Sequence, residues 1–255
     1  MKNLIRIAGA LLALCALPAA HAGSFVDDYI GANNSADVIG VSTYDISGAS
    51  ITRVGSVLTV TINTAFAGHA GMDSYAAAQG IGYGDVFLSQ MWNPDGTAAN
   101  HYATDNAANG TDWQYGFHLA DRWNNGGGKF DLYKLNGTNA ADILNSNSFI
   151  TCANCTYRQG QETAVNTGSA SAQNLSTSAS LKGDWTVQAD QSIKFTIDIS
   201  NFQELMNFKS FAMHWGETCQ NDVIEGSTNV PEPASLALVG AGLCGILALR
   251  RRKTA

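Results

Sequence analysis

Basic residues are scarce in this chain once its two extremities are set aside. Of 14 Lys and Arg in 255 residues, Lys2, Arg6, Arg250, Arg251, Arg252 and Lys253 sit at the ends, and residues 23–229 carry 20 acids against 8 bases, a formal charge of −12. That balance excludes a protein that tracks nucleic-acid phosphates; it suits a soluble, cation-tolerant one. Charged residues of all kinds make up only 14% of the chain, and proline is limited to 4 residues. No segment sustains a helical period, which argues against a bundle, and no repeat of fixed spacing marks a solenoid. Cysteine is too sparse for a disulfide-dense scaffold. A Gly-x-Ser-x-Gly elbow, a His-Glu-x2-His pair and a phosphate loop are all absent. With no catalytic motif, the expectation is a non-enzymatic protein.

What remains is rich in Gly, Asn, Ser, Thr and Ala, and its apolar residues alternate. Leu58, Val60 and Ile62 share one face of a strand, and Ile193, Phe195, Ile197 and Ile199 share one face of another. Trp113, Tyr115, Phe117 and Leu119 make a third such face, and 86–92, 130–135 and 208–215 are further strands. Turn-forming clusters such as 124–128 and Asn136-Gly137 separate them. Ser200 and Gln203 predict a capping box for one short helix ending near Asn207, and 163–180 reads as a long Ser/Thr/Ala-rich surface loop. These one-sided strands predict an all-β ectodomain over 23–229, an antiparallel β-sandwich with one short helix.

The two ends read as sorting segments. Lys2 and Arg6, the apolar stretch 7–17 and Ala20-His21-Ala22 form a signal peptide over 1–22, cut after Ala22 by signal peptidase following export through the Sec translocon. The tail, 230–255, begins with Val230-Pro231-Glu232-Pro233, continues as an apolar helix over 234–249 and stops at Arg250, Arg251, Arg252 and Lys253. Sixteen helical residues cover roughly 24 Å, short of a bilayer core of about 30 Å. Snorkelling arginines and local thinning make up the difference. The basic stop stays cytoplasmic. The tail predicts a transmembrane helix that is held only transiently in the inner membrane.

This tail resembles the PEP-CTERM sorting signal of Gram-negative exosortase substrates. The resemblance implies processing by an exosortase near Pro231, Glu232 and Pro233, and delivery to the cell surface or the exopolysaccharide matrix. A rigid, extended Pro-x-Pro pair suits a protease groove. Within the ectodomain, Gly82-Tyr83-Gly84-Asp85-Val86-Phe87-Leu88-Ser89 and His214-Trp215-x3-Cys219-x-Asn221-Asp222 are similar to segments of one group of such surface proteins. That group implies a lectin-like or jelly-roll-like sandwich. Gln220 stands where its Cys-Gly-Asn-Asp has glycine, which puts a glycine-dependent turn in question.

Several constellations remain as site expectations. Cys152, Cys155 and Cys219 permit three single-bridge pairings in an oxidising compartment. With His214 they also permit a zinc site. Asp105, Asn109 and Asp112 place oxygen donors in one loop that calcium could use, although the same residues build ordinary turns. Trp123, beside Asn124, Asn125 and a glycine run, is the tryptophan best placed for carbohydrate contact. Glu217, Asp222 and Glu225 gather near His214, as a glycosidase's carboxylates would. No cofactor is required by any of these. The sequence therefore predicts an exported surface or matrix protein, structural or adhesive in exopolysaccharide or biofilm. The alternative is a carbohydrate-binding or carbohydrate-cleaving domain with the same address.

Overall fold

The computed structural model describes residues 20–32, 36–136 and 140–229. The signal-peptide stretch before Ala20 and the tail from Val230 onward, including its expected helix and basic stop, lie outside the described residues. Among those described, no helix is long and apolar enough to cross a membrane.

The domain is built on one antiparallel sheet. In chain order its strands are β1 (Ala20–Phe25), β2 (Ile46–Val54), β3 (Val57–Thr64), β4 (Val86–Ser89), β5 (Tyr115–Leu119), β6 (Gly127–Lys134), β7 (Ile143–Asn145), β8 (Glu162–Val165), β9 (Gln173–Asn174), β10 (Gly183–Gln188), β11 (Ser192–Asp198), β12 (Ser210–Gly216) and β13 (Val223–Asn229). The spatial order is β1-β2-β3-β11-β10-β6-β5-β4-β12-β13, with β9 added beside β6 and β7 and β8 forming a separate two-stranded sheet. The expected sandwich of two sheets is thus replaced by a single 11-stranded sheet that nearly closes on itself. Its edges meet where β1 lies against β13, so closely that a Cβ on Gly23 would strike Thr228. Alternation reports that one face is covered. It does not report whether a second sheet or the same sheet curling round does the covering.

The enclosed core follows the predicted faces. Leu58, Val60 and Ile62 of β3 and Ile193, Phe195 and Ile197 of β11 are buried, and their registers match, with Val60 opposite Phe195 and Ile62 opposite Ile193. A tight connection through Gly55-Ser56 joins β2 to β3, with Gly55 at φ 60° as such a hairpin needs. The short helix is Gln203–Met206, but its N-cap is Phe202 with no side-chain cap, so the capping box does not form. Gln203 instead donates its side-chain amide to the Ser200 carbonyl.

Strand β4 is buried on both faces. One face looks into the enclosed core. The other belongs to a second layer, where Phe87, Trp113, Tyr133, Leu135, Val165 and Ala212 pack together. The cover there includes β8, fully buried, in a stretch that the sequence reads as the start of a surface loop. Gly116 makes this possible, since a Cβ at that position would overlap the Val165 side chain.

Candidate functional site

The second layer contains an unusual amount of buried charge, arranged in three centres. The first surrounds Asp85, whose carboxylate accepts from Leu119 N (2.9 Å), Val165 N (2.8 Å), His118 Nδ1 (3.0 Å) and Arg122 Nη2 (3.0 Å). Arg122 also donates to the Tyr83 carbonyl. Burial alone would raise the Asp85 pKa, but Arg122, His118 and the backbone N–H groups outweigh it and hold the carboxyl below its ordinary range. The Gly-Tyr-Gly-Asp segment now has a physical account. Gly84 must lack a side chain because a Cβ would collide with the Gly216 carbonyl, and Asp85 ties β4, β5 and β8 together.

The second centre is the turn between β12 and β13. Glu217 and Asp222 are both buried there. Asp222 accepts from Ile46 N and Val223 N, and burial raises its pKa to about 7. Arg158, also buried, donates to the Gln220 carbonyl and to those of Ala36 and Asp37, so it pins the turn to the 36–37 loop. Gln220 sits at φ 54°, in the left-handed region that favours glycine. The glycine-type turn is therefore retained despite the substitution, and the Gln220 side chain reaches Thr163 Oγ1 (3.2 Å). Nearby, Asp27, Asp37 and Asp45 approach one another, and burial, then the charge of Asp222, then that of Asp37 and Asp45, raise the Asp27 pKa to about 8.

The third centre is formed by Glu162, His214 and Glu225. His214 and Glu225 stand directly opposite each other on β12 and β13. His214 Nδ1 lies 2.9 Å from Glu225 Oε2, and its Nε2 donates to the Glu162 carbonyl at 2.8 Å. Two indoles orient the carboxylates: Trp92 Nε1 donates to Glu225 Oε1 (2.8 Å) and Trp113 Nε1 to Glu162 Oε1 (3.2 Å). Glu162 Oε2 is buried with no partner. Asp105 is adjacent and accepts from the Tyr29 hydroxyl (2.8 Å). Burial raises Glu162 to about 7 and Glu225 well above its usual range, and it lowers His214. Nearby acids add to the rise at both glutamates, whereas His214 opposes it at Glu162.

The structure redistributes the residues singled out from sequence. Cys152 is bonded to Cys155 and Cys219 is a buried free thiol, while His214 is engaged with Glu162 and Glu225, so the four do not assemble as zinc ligands. Asp105 points inward, with its two oxygens accepting from Asp95 N and Tyr29, whereas Asp112 is exposed. Asn109 turns its amide nitrogen toward Asp95 Oδ2 and the Thr104 carbonyl. The expected calcium loop is thus a set of turns whose donors diverge. Trp123 is half-buried and commits its indole N–H to the Gly80 carbonyl (3.0 Å). Glu225 belongs to the third centre and Glu217 and Asp222 to the second, all of them buried, so they form no open carboxylate pair. Ala22 lies within β1; a cut after it leaves Gly23, Ser24 and Phe25 paired with Ile51, Ser50 and Ala49. Sequence reasoning missed Glu162, Arg158 and Arg122. The cross-strand partnership of His214 and Glu225 could have been found by extending a hairpin outward from the turn at 217–222. Nothing local marks Glu162.

Residues 229–253 match the family model of the PEP-CTERM protein-sorting motif. No curated protein and no solved structure matches the chain. The motif begins at the last residue of β13, so the sorting tail directly follows the sheet. It marks the chain as an exported protein sorted through an exosortase.

Proposed function

We propose that this protein is a structural or adhesive component of the cell surface or of an exopolysaccharide matrix. Its tail parks it in the inner membrane until an exosortase cuts near Pro231, Glu232 and Pro233. The observation that carries this reading is the sorting motif placed immediately after the last strand of the β domain. Such a layout suits a passenger released intact. Signal peptidase acting after Ala22 and the Sec translocon supply the earlier steps of the same route.

The state of the tryptophans supports a structural role over a sugar-binding one. Trp92, Trp113, Trp123 and Trp215 all direct their indole N–H groups to protein acceptors, and Trp185 is buried. Carbohydrate platforms need an exposed aromatic face with a free polar edge. Binding of the released protein to defined glycans, or liberation of reducing ends, would favour the carbohydrate reading instead.

Replacing Pro231-Glu232-Pro233 with alanines tests the sorting step. The expected result is a chain that keeps the mass of its tail and stays in the inner-membrane fraction. Normal release at unchanged mature mass would reject processing at this motif.

A further inference from the structure

We propose that Glu162, His214 and Glu225 form a structural binding site for one zinc ion, buried between β8 and the β12–β13 hairpin. One ligand atom from each residue lies within 4.8 Å of the others, and all three side chains are buried. Zinc is held by imidazole nitrogen and carboxylate oxygen at about 2.0–2.2 Å in a tetrahedral array. Atoms about 2.0–2.2 Å from one tetrahedral ion stand about 3.3–3.6 Å apart, a separation inside the 4.8 Å over which these three already gather.

Three observations point to an ion here rather than to an acid cluster alone. His214 presents the correct nitrogen. Its Nε2 must donate to the Glu162 carbonyl, because a carbonyl can only accept, and Nδ1 is left facing the acids with its lone pair. At 2.9 Å, Nδ1 and Glu225 Oε2 then need a cation between them, either a proton or a metal. Next, Glu162 Oε2 is wholly buried and has no donor. A desolvated carboxylate oxygen without a partner is costly, and a bound dication would satisfy it. Finally, the outer ring is already built. Trp113 holds Glu162, Trp92 holds Glu225, and a backbone carbonyl holds His214, which is the kind of support that fixes metal ligands in place.

Charge points the same way. Among the described residues neither Glu162 nor Glu225 forms an ion pair with Lys or Arg, and Asp105 adds a further acid. One imidazole with two carboxylates fits zinc better than calcium, which takes six to eight oxygens. The fourth position falls to a water or to a second carboxylate oxygen. Because the site is closed, the ion enters as the chain folds. The site is independent of the sorting tail.

The test uses the full chain, unfolded in guanidinium with a chelator and refolded with or without zinc. One zinc per chain is expected after exhaustive dialysis, together with a higher thermal midpoint than in the metal-free protein. Absorption spectroscopy at the zinc edge should show a shell of only nitrogen and oxygen at about 2.0–2.1 Å, with no sulfur near 2.3 Å. Glu162→Gln keeps the shape of the side chain and should lower zinc affinity at least tenfold. A folded wild type that retains no zinc and shows no shift in midpoint would overturn the proposal. So would a sulfur shell, which would assign the ion to cysteine, or zinc retained at full affinity by a folded Glu162→Gln chain. If that variant does not fold, the spectrum of the wild type decides alone.

Discussion

Asp85 and the Glu162–His214–Glu225 group lie under the same cover and attach the same strand, β8, to the main sheet. They solve the problem of buried charge differently. Asp85 meets two backbone N–H groups, an imidazole and a guanidinium, and its charge is answered within the protein. The other group puts two glutamates, with Asp105 close by, around one histidine, and leaves an oxygen unanswered. The first centre is complete as polypeptide. The second is complete only with an added cation. Buried charge therefore has two meanings in one small domain, and the number of matched donors tells them apart.

The comparison can be broken most forcefully at Asp85. Asp85→Ala strands Arg122 in a buried site, and loss of one partner from such a pair costs roughly 3–5 kcal/mol. Urea unfolding should register that loss directly; a change below about 1 kcal/mol would mean the centre is not the strut described here. At the third centre the same experiment should behave otherwise. In chelator, Glu162→Gln removes the charge of a buried carboxyl that has one oxygen without a donor and keeps an oxygen for Trp113, so the metal-free variant should match or exceed wild-type stability, to within about 1 kcal/mol. A loss as large as that of Asp85→Ala would make the two centres equivalent and sink the distinction.

Acid and base titrations sharpen it further. Asp85 has a folded pKa below its ordinary 3.8, so its contribution is present above that value and disappears as the pH falls through the folded one. Asp27 has the opposite sign. Unfolded, it releases its proton near 3.8; folded, it keeps it to about 8. Over that window the folded state binds the extra proton, so stability falls as the pH rises and levels off above about 8. Asp27→Asn should flatten that part of the profile in a series of urea melts, and an unaltered slope would count against the assignment. The smallest effect belongs to an exposed control. Lys129 and Asp184 pair at 2.6 Å with both side chains more than half exposed, and Lys129→Ala should shift stability by less than about 1 kcal/mol.

How much of this was legible depends on what each strand faces. Strands β3 and β11 have one apolar and one polar face, so their alternation announces them. Strands β4 and β12 are covered on both sides and so lack alternation; β4 begins with the apolar run Val86-Phe87-Leu88, and β12 is apolar from Phe211 to Trp215 except at His214. Strand β2 escaped, because Ser47, Gly48 and Ala49 are small and a register shift between Ile46 and Gly48 interrupts its period. Strand β8 escaped for a different reason. Glu162 and Thr163 look like surface residues, and only tertiary packing buries them. The charged centres were hidden for the same cause, since their members come from distant segments. The tail needed no packing to be read. Its message lies in order along the chain, and the family match falls on the same residues, 229–253.

The seam between β1 and β13 sets a timetable. The first strand of the sheet must wait for the last before the sheet can curl round, since the neighbour of β1 on its open side is supplied by residues 223–229. Closure by such distant partners is a late, slow event in folding. The domain is therefore complete only once residues 223–229, the stretch that runs straight into the sorting motif, have taken their place beside β1.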